Sequence, residues 1–532
     1  MKINKLYNYL FILFILGTHT GMLSAQEAEF IKLSKDFILH EDGSQELRCY
    51  KELKLFTHTA MNSTYGETFV IYNPDFQELK IHSCYTKQKD GTIIQAPENA
   101  FVEVLPRFAA DAPAYNQLKE MVIVHTGLDL GSTIFLDYSV LTKAGYYPEL
   151  DIDELLQESS PIRNYTISVS VPENKTLNSI LYASTQKAAI QMADGLRKQL
   201  WQLNNIPASS RMPFLPQNKE NIPRLVANTY TSQAQALSFL QKQSEASVSL
   251  ESETYAQFIT EECATAQEKI ETIHNYVANN ISTIKIPLQY NGFRFRGADE
   301  SIRSAYGTEI EKANLLCKML KAINIPAEMI VWYPATIQSP TLGLTPVKQV
   351  GVKITADGKT QYLSATSKTH IKPELRGALD NLFTLEGNSQ KIETQPAVYK
   401  QEKEITLDTS SAKNGYLVYD LPPTAGIDSW NITTLNSRRT DLFEIPSGIQ
   451  DKISYTITVP EGVSLRNAKS IEISTPQGKV SRTIRTEGTQ IEVVRYIELN
   501  KQQYTPQEYS EVRNLINEWN SNTNKQLLFK VN

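Results

Sequence analysis

The chain has 532 residues, 58 acidic against 53 Lys and Arg side chains, a formal net charge of -5 at pH 7 and 41% hydrophobic residues. That balance excludes a nucleic-acid or anionic-membrane binder, which needs a basic surface, and the length exceeds what one core organises, so about three domains are expected. Four cysteines, Cys49, Cys84, Cys263 and Cys317, are too few for a disulfide scaffold and leave one or two bridges open; without CxxC or HExxH spacing, neither a metal nor another cofactor is expected.

Lys2 and Lys5 precede the apolar run Leu10 to Leu16, and Leu23-Ser24-Ala25 offers a cleavage point before Gln26. This is the pattern of a secretory signal peptide over 1–25, too short and too poorly flanked for a membrane span. No cysteine precedes Cys49 and no second long apolar run follows, so neither a lipid anchor nor a span is expected. The expected setting is the periplasm or the cell surface.

From 26 to 231 the chain reads as short strands. Segments 36–40 and 46–56 flank Glu41-Asp42-Gly43, and 79–86 and 92–95 flank Lys89-Asp90-Gly91. Segments 121–125, 133–141 and 165–171 continue the series between Gly, Pro and Asn punctuation, as in a β-sandwich. The pattern changes over 232–385, which reads as an α+β domain. Helices are predicted over 234–243, over 262–281 with Ala266, Ile270, Ile273 and Val277 on one face, and over 309–323. Strands follow at 328–333, 347–355 and 360–365, with a Pro-rich loop at 335–346. Residues 386–532 return to strands at 404–407, 415–420, 452–459, 470–474, 481–485 and 490–498. A helix is predicted to open at the capping box Thr505-Pro506-Gln507-Glu508 and to carry Tyr509, Val512, Leu515, Ile516 and Trp519 inward. The strings NYTISVSVPENKTL at 164–177 and SYTITVPEGVSL at 454–465 are similar, which raises two sandwiches of related design.

The central strings KIETIHNYVANNISTIKI and SAYGTEIEKANLLCKMLKAINIPAEMIVWYP resemble the transglutaminase/papain-like core. In that family a Gly leads to Asp-Cys at the start of a buried helix, followed by a Leu-rich stretch running into a strand. YNPDFQELKIHSCYTKQKDGTII and LNSRRTDLFEIPSGIQDKISYTITVPEG look like the companion domains before and after the core in exported bacterial proteins, so the likeness spans most of the chain. It implies an α+β multidomain fold with a transglutaminase-like centre, and no settled substrate.

The family's thiolate is activated at a helix N-terminus, a histidine takes its proton, and an acid orients the histidine. Counted from Gly307, the nucleophile position holds Glu309. In KQVGVKITADGKTQYLSAT the histidine position holds Gln349 and the acid position Ser364. Cys317 lies about 12 Å further along the helix axis, among apolar neighbours, and neither His274 nor His370 falls at the base position. Thr308 to Glu311 reads locally as a capping box, with Glu309 set against the helix dipole. The resemblance with its replaced positions therefore implies a non-enzymatic chain that binds a peptide or glycan. A hydrolase using Glu309 as acid or base, and a purely structural assembly component, stay open. Arg294, Arg296, Tyr306 and Trp332 are the candidate ligand contacts, each equally readable as scaffold.

Overall fold

The computed structural model describes residues 26–372, 380–390, 392, 395–433 and 435–531. The leader with its cleavage point at Ala25 lies outside the described residues. The described chain is α+β, with strand-rich N- and C-terminal regions and a central helical region. It forms two compact units, one of residues up to Ser209 with Pro223–Tyr230 and Ile284–Arg294, the other of Ser210–Ile222, Thr231–Thr283 and Phe295–Asn532. This differs from contiguous blocks in sequence: the central and C-terminal regions form one unit, and two short segments change sides.

The first unit is built on an eight-stranded sheet in the order Ala189–Ala193, Leu196–Ile206, Ile162–Pro172, Ala28–Leu39, Gln45–Leu55, Thr133–Thr142, Gln77–Lys87 and Ile93–Gln95. Two three-stranded sheets cover its inner face. One apolar cluster joins Leu33, Leu53, Ile134, Ile167 and Val169 to Ile152 and Leu225 of one small sheet. A second joins Leu136, Val140 and Cys84 to Val70 and Ile123 of the other. Alternation places these residues on one face of each strand.

Between the two clusters lies a polar belt. Lys51 contacts the Thr68 hydroxyl, Thr68 Oγ1 is 2.8 Å from His125 Nε2, and His125 Nδ1 is 3.8 Å from Cys84 Sγ. Burial pushes Lys51 down to about 8; burial, then the Lys51 charge, pushes His125 down to about 3. Cys49 and Cys84 flank the strand Thr133–Thr142, opposite Tyr138 and Leu136 respectively. Two strand spacings, about 10 Å, separate them, which is beyond the reach of a disulfide. All four cysteines are free thiols, so the bridges left open by composition are not formed.

In the second unit the helix Glu309–Ala322 buries ten of its residues, among them the polar Glu311, Lys312 and Asn314. It packs on the strands Ala327–Pro334 and Gln349–Ala356 of a six-stranded sheet. The helices Leu250–Ile259 and Ala298–Ser304 carry weak or short apolar patterns and were not anticipated. The C-terminal region pairs a five-stranded sheet with the three-stranded Tyr416–Asp420, Gln526–Val531 and Val463–Leu465. Its last long helix begins at Tyr509, one turn after the box at Thr505 and Glu508, whose reciprocal backbone bonds are 3.0 and 3.4 Å.

The two similar strings occupy equivalent places. Ile162–Pro172 pairs in parallel with Ala28–Leu39 and antiparallel with Leu196–Ile206. Ile449–Thr458 pairs in parallel with Ala397–Thr406 and antiparallel with Gln490–Leu499. In both regions the next strand then crosses to the smaller sheet.

The belt makes the first unit acid-sensitive. His125 is held neutral against Lys51, Cys84 and Thr68, and its proton affinity is lower folded than unfolded. Stability is therefore fully present above about pH 6.5 and falls by about 1.4 kcal/mol per pH unit as pH drops from there toward 3. Thermal melts from pH 7.5 to 4.5 should show this slope, and His125→Gln should flatten it.

Candidate functional site

The start of the buried helix is held from below. Glu311 is fully buried and forms a bidentate pair with Arg296, Nε to Oε1 and Nη2 to Oε2 both at 3.0 Å. The same carboxylate accepts the backbone N–H groups of Arg296 at 2.9 Å and Thr308 at 2.8 Å. The expected capping box is thus formed on one side, while the Thr308 hydroxyl is buried without a partner. Its acid is a buried ion-pair member as well as a cap.

Four candidate ligand contacts are placed in the scaffold. Arg296 also donates to Ser304 Oγ at 3.0 Å and the Tyr306 carbonyl at 2.8 Å, and its guanidinium lies 4.5 Å from the Tyr306 ring centroid. Arg294 belongs to the first unit, where it donates to the carbonyls of Tyr146 at 2.5 Å and Gly145 at 2.8 Å. Trp332 is 1% exposed and packs with Ile330 and Leu382. None of the four is among the residues lining the cleft described next.

That cleft, about 430 Å3, lies in the second unit and is lined by Gln217, Glu309, Lys348, Gln349, Asp380, Glu444, Pro446 and Gln502. Glu309 and Gln349 are therefore brought together, as their positions implied. Ser364 is not among the lining residues; it is buried, its hydroxyl 3.2 Å from Thr366 Oγ1 and its carbonyl 2.8 Å from His274 Nε2.

Lys348, Asp380, Glu444 and Gln217 were not anticipated. Lys348 precedes Gln349 in the sequence, and Glu444 lies within the flanking string LFEIP, but nothing in the local pattern joins them. Lys348 Nζ is 3.1 Å from Asp380 Oδ1 and 2.7 Å from Asn218 Oδ1. Glu444 is 7% exposed, and burial holds its carboxyl above the usual range against the opposing bonds from Gln503 Nε2 at 2.9 Å and Gln217 N at 3.2 Å. The cleft thus gathers three carboxyl groups, one ammonium and carboxamides, and no cysteine lines it. Cys317 is 3% exposed, its thiol donates to the Ala327 carbonyl at 3.5 Å, and burial pushes the thiol up.

Residues 253–367 match the model of the transglutaminase-like superfamily. Residues 41–210 and 416–529 match two models described as "Domain of Unknown Function with solved-structure structure", DUF3857 and DUF3858 respectively. A crystal structure described as "a putative protease" from Parabacteroides distasonis is 53% identical, covers 95% of this chain and 99% of its own, and superposes with a TM-score of 0.88. A "putative cysteine protease" from Cytophaga hutchinsonii is 14% identical over 45% of this chain and 84% of its own, with a TM-score of 0.21, and carries no argument. No curated protein matches. The expectation of a non-enzymatic chain is corrected by the first of these structures, whose description points towards an enzyme.

Two outcomes follow from this geometry. Arg296→Met should destabilise the protein by about 3–5 kcal/mol in chemical denaturation, because it leaves Glu311 buried and unpaired, whereas a ligand-contacting arginine would leave stability unchanged. A dithiobis-nitrobenzoate assay should find at most Cys263 reactive in the native protein and all four thiols after denaturation, since Cys49, Cys84 and Cys317 are buried.

Proposed function

Because this chain belongs to the transglutaminase-like family in which DUF3857 precedes and DUF3858 follows the core, we propose that it is a hydrolase of peptide amide bonds that works with carboxyl groups instead of a thiol. The observation that carries this reading is that Glu309 and Glu444, from the core helix and the C-terminal region, line one cleft. Glu309 stands in the first turn of a 14-residue helix, where the helix dipole favours its ionised form. It serves as general base and takes a proton from water as the water oxygen bonds to the amide carbonyl carbon. Glu444, raised by burial, serves as general acid and delivers its proton to the departing amine as the C–N bond breaks. The Lys348 ammonium, fixed by Asp380 and Asn218, and the Gln349 carboxamide stabilise the oxyanion. The leader pattern expected over 1–25 supports a periplasmic or cell-surface setting, and no helix among the described residues is long and apolar enough to cross a membrane.

The test is turnover of a fluorogenic peptide library by the full chain. Glu309→Gln and Glu444→Gln should each lower kcat by about 10²–10⁴-fold with the thermal midpoint little changed, and iodoacetamide should leave turnover unaffected. Loss of activity to iodoacetamide would reject the carboxylate mechanism, and a Glu309→Gln protein that is destabilised but fully active would return Glu309 to a capping role.

A further inference from the structure

The segment Ser210–Ile222 is chemically unlike a passive linker. It leaves the first unit after Ser209 and belongs wholly to the second. Phe214 packs edge-on against Phe443, with ring centroids 5.7 Å apart, and its carbonyl accepts the Glu444 N–H at 2.9 Å. Three residues later the Gln217 N–H points back to the Glu444 carboxylate at 3.2 Å. The next residue, Asn218, is 3% exposed and reaches Lys348 at 2.7 Å and Asp380 Oδ1 at 3.4 Å. Glu220 Oε1 accepts from Gln503 Nε2 at 2.8 Å, the same amide that holds Glu444. One short strap therefore touches the acid, the ammonium and the ammonium's counter-ion.

At its start the strap is also gripped by one guanidinium. Arg439 donates from Nη1 to the Pro213 carbonyl at 2.8 Å and from Nη2 to the Phe214 carbonyl at 2.8 Å. Its remaining donors go to Asp441 at 2.9 Å and Leu442 at 2.7 Å, the residues leading into Phe443 and Glu444. Its plane also covers the rings of Phe443 and Tyr509, at 5.1 and 5.6 Å. A planar fork of five donors can clamp two backbone segments at once in a way an ammonium cannot.

We infer that Arg439, absent from the cleft lining, is a positioning residue that clamps the Ser210–Ile222 strap onto Phe443 and Glu444 and so fixes Glu444 and Lys348 for catalysis. This rests on the hydrolytic reading of the cleft. The strap also explains how the chain preceding the core takes part in the site: it supplies Gln217 and Asn218, which the core and C-terminal domain lack.

The test is hydrogen exchange and kinetics on full-length Arg439→Ala, with Arg439→Lys as the milder variant should the alanine protein not fold. The amides of Gln217 and Glu444 should exchange at least about tenfold faster, while those of the helix Glu309–Ala322 keep their protection. In the peptide assay kcat should fall about tenfold or more, and the alkaline limb of the pH profile, set by Glu444, should move, with Arg439→Lys intermediate. Unchanged exchange at both amides would overturn the clamp. Faster exchange with unaltered kcat and pH profile would overturn the positioning role. Should the wild-type chain turn over no peptide, the hydrolytic reading and the positioning role both fall, and exchange then reports on the clamp separately.

Discussion

The buried pair between Arg296 and Glu311 is the interaction on which the second unit's site depends. Glu311 has no exposure to water, and such a carboxylate is tolerated only when its oxygens are filled by strong donors. Arg296 fills them from the side, and two backbone N–H groups fill them from the loop and the helix start. That arrangement fixes where the helix begins, and hence where Glu309 stands. From three residues after Glu309 on the same element, Lys312–Leu316 are all buried, so the helix cannot rotate to adjust. The start is held rigidly, and the carboxylate of the first turn is delivered to the cleft.

The cleft is framed by elements of the core together with residues of the C-terminal region. Gln349 opens the strand whose neighbour is Ala327–Pro334, and Lys348, immediately before it, is held there by its own N–H on the Trp332 carbonyl at 2.8 Å. The core alone contributes Glu309, Lys348, Gln349 and Asp380; Glu444, Pro446 and Gln502 come from the C-terminal region. Glu309 stands in the first turn of a helix, whereas burial holds the Glu444 carboxyl above its ordinary range.

The strand-rich regions show a shared plan. In each, the string containing Val-Pro supplies a strand lying between a parallel and an antiparallel partner, so similar sequence corresponds to similar pairing. They differ in what they bury. The N-terminal region sets a polar belt of Lys51, Thr68 and His125 between two apolar clusters, whereas the C-terminal region buries Arg482 opposite Arg495, with the latter's guanidinium 3.8 Å from the Trp519 ring centroid.

Local pattern determined a good deal of this protein by itself. Strand alternation located the sheets, because a period of two needs no knowledge of the partner strand, and Leu315, Leu316, Met319 and Leu320 marked a buried helix. Order and spacing of motifs identified the transglutaminase-like core and placed Glu309 and Gln349 in one cleft. The tertiary structure decided the rest. Arg294, Arg296, Tyr306 and Trp332 carry side chains suited to ligands, and their backbone, ring and core contacts appear only in the tertiary structure. Glu444 and Gln217 lie 135 residues after and 92 residues before Glu309 along the chain, and no local period encodes a contact across such distances. The interleaving of units has the same cause, since a linker's composition does not state which core its side chains join.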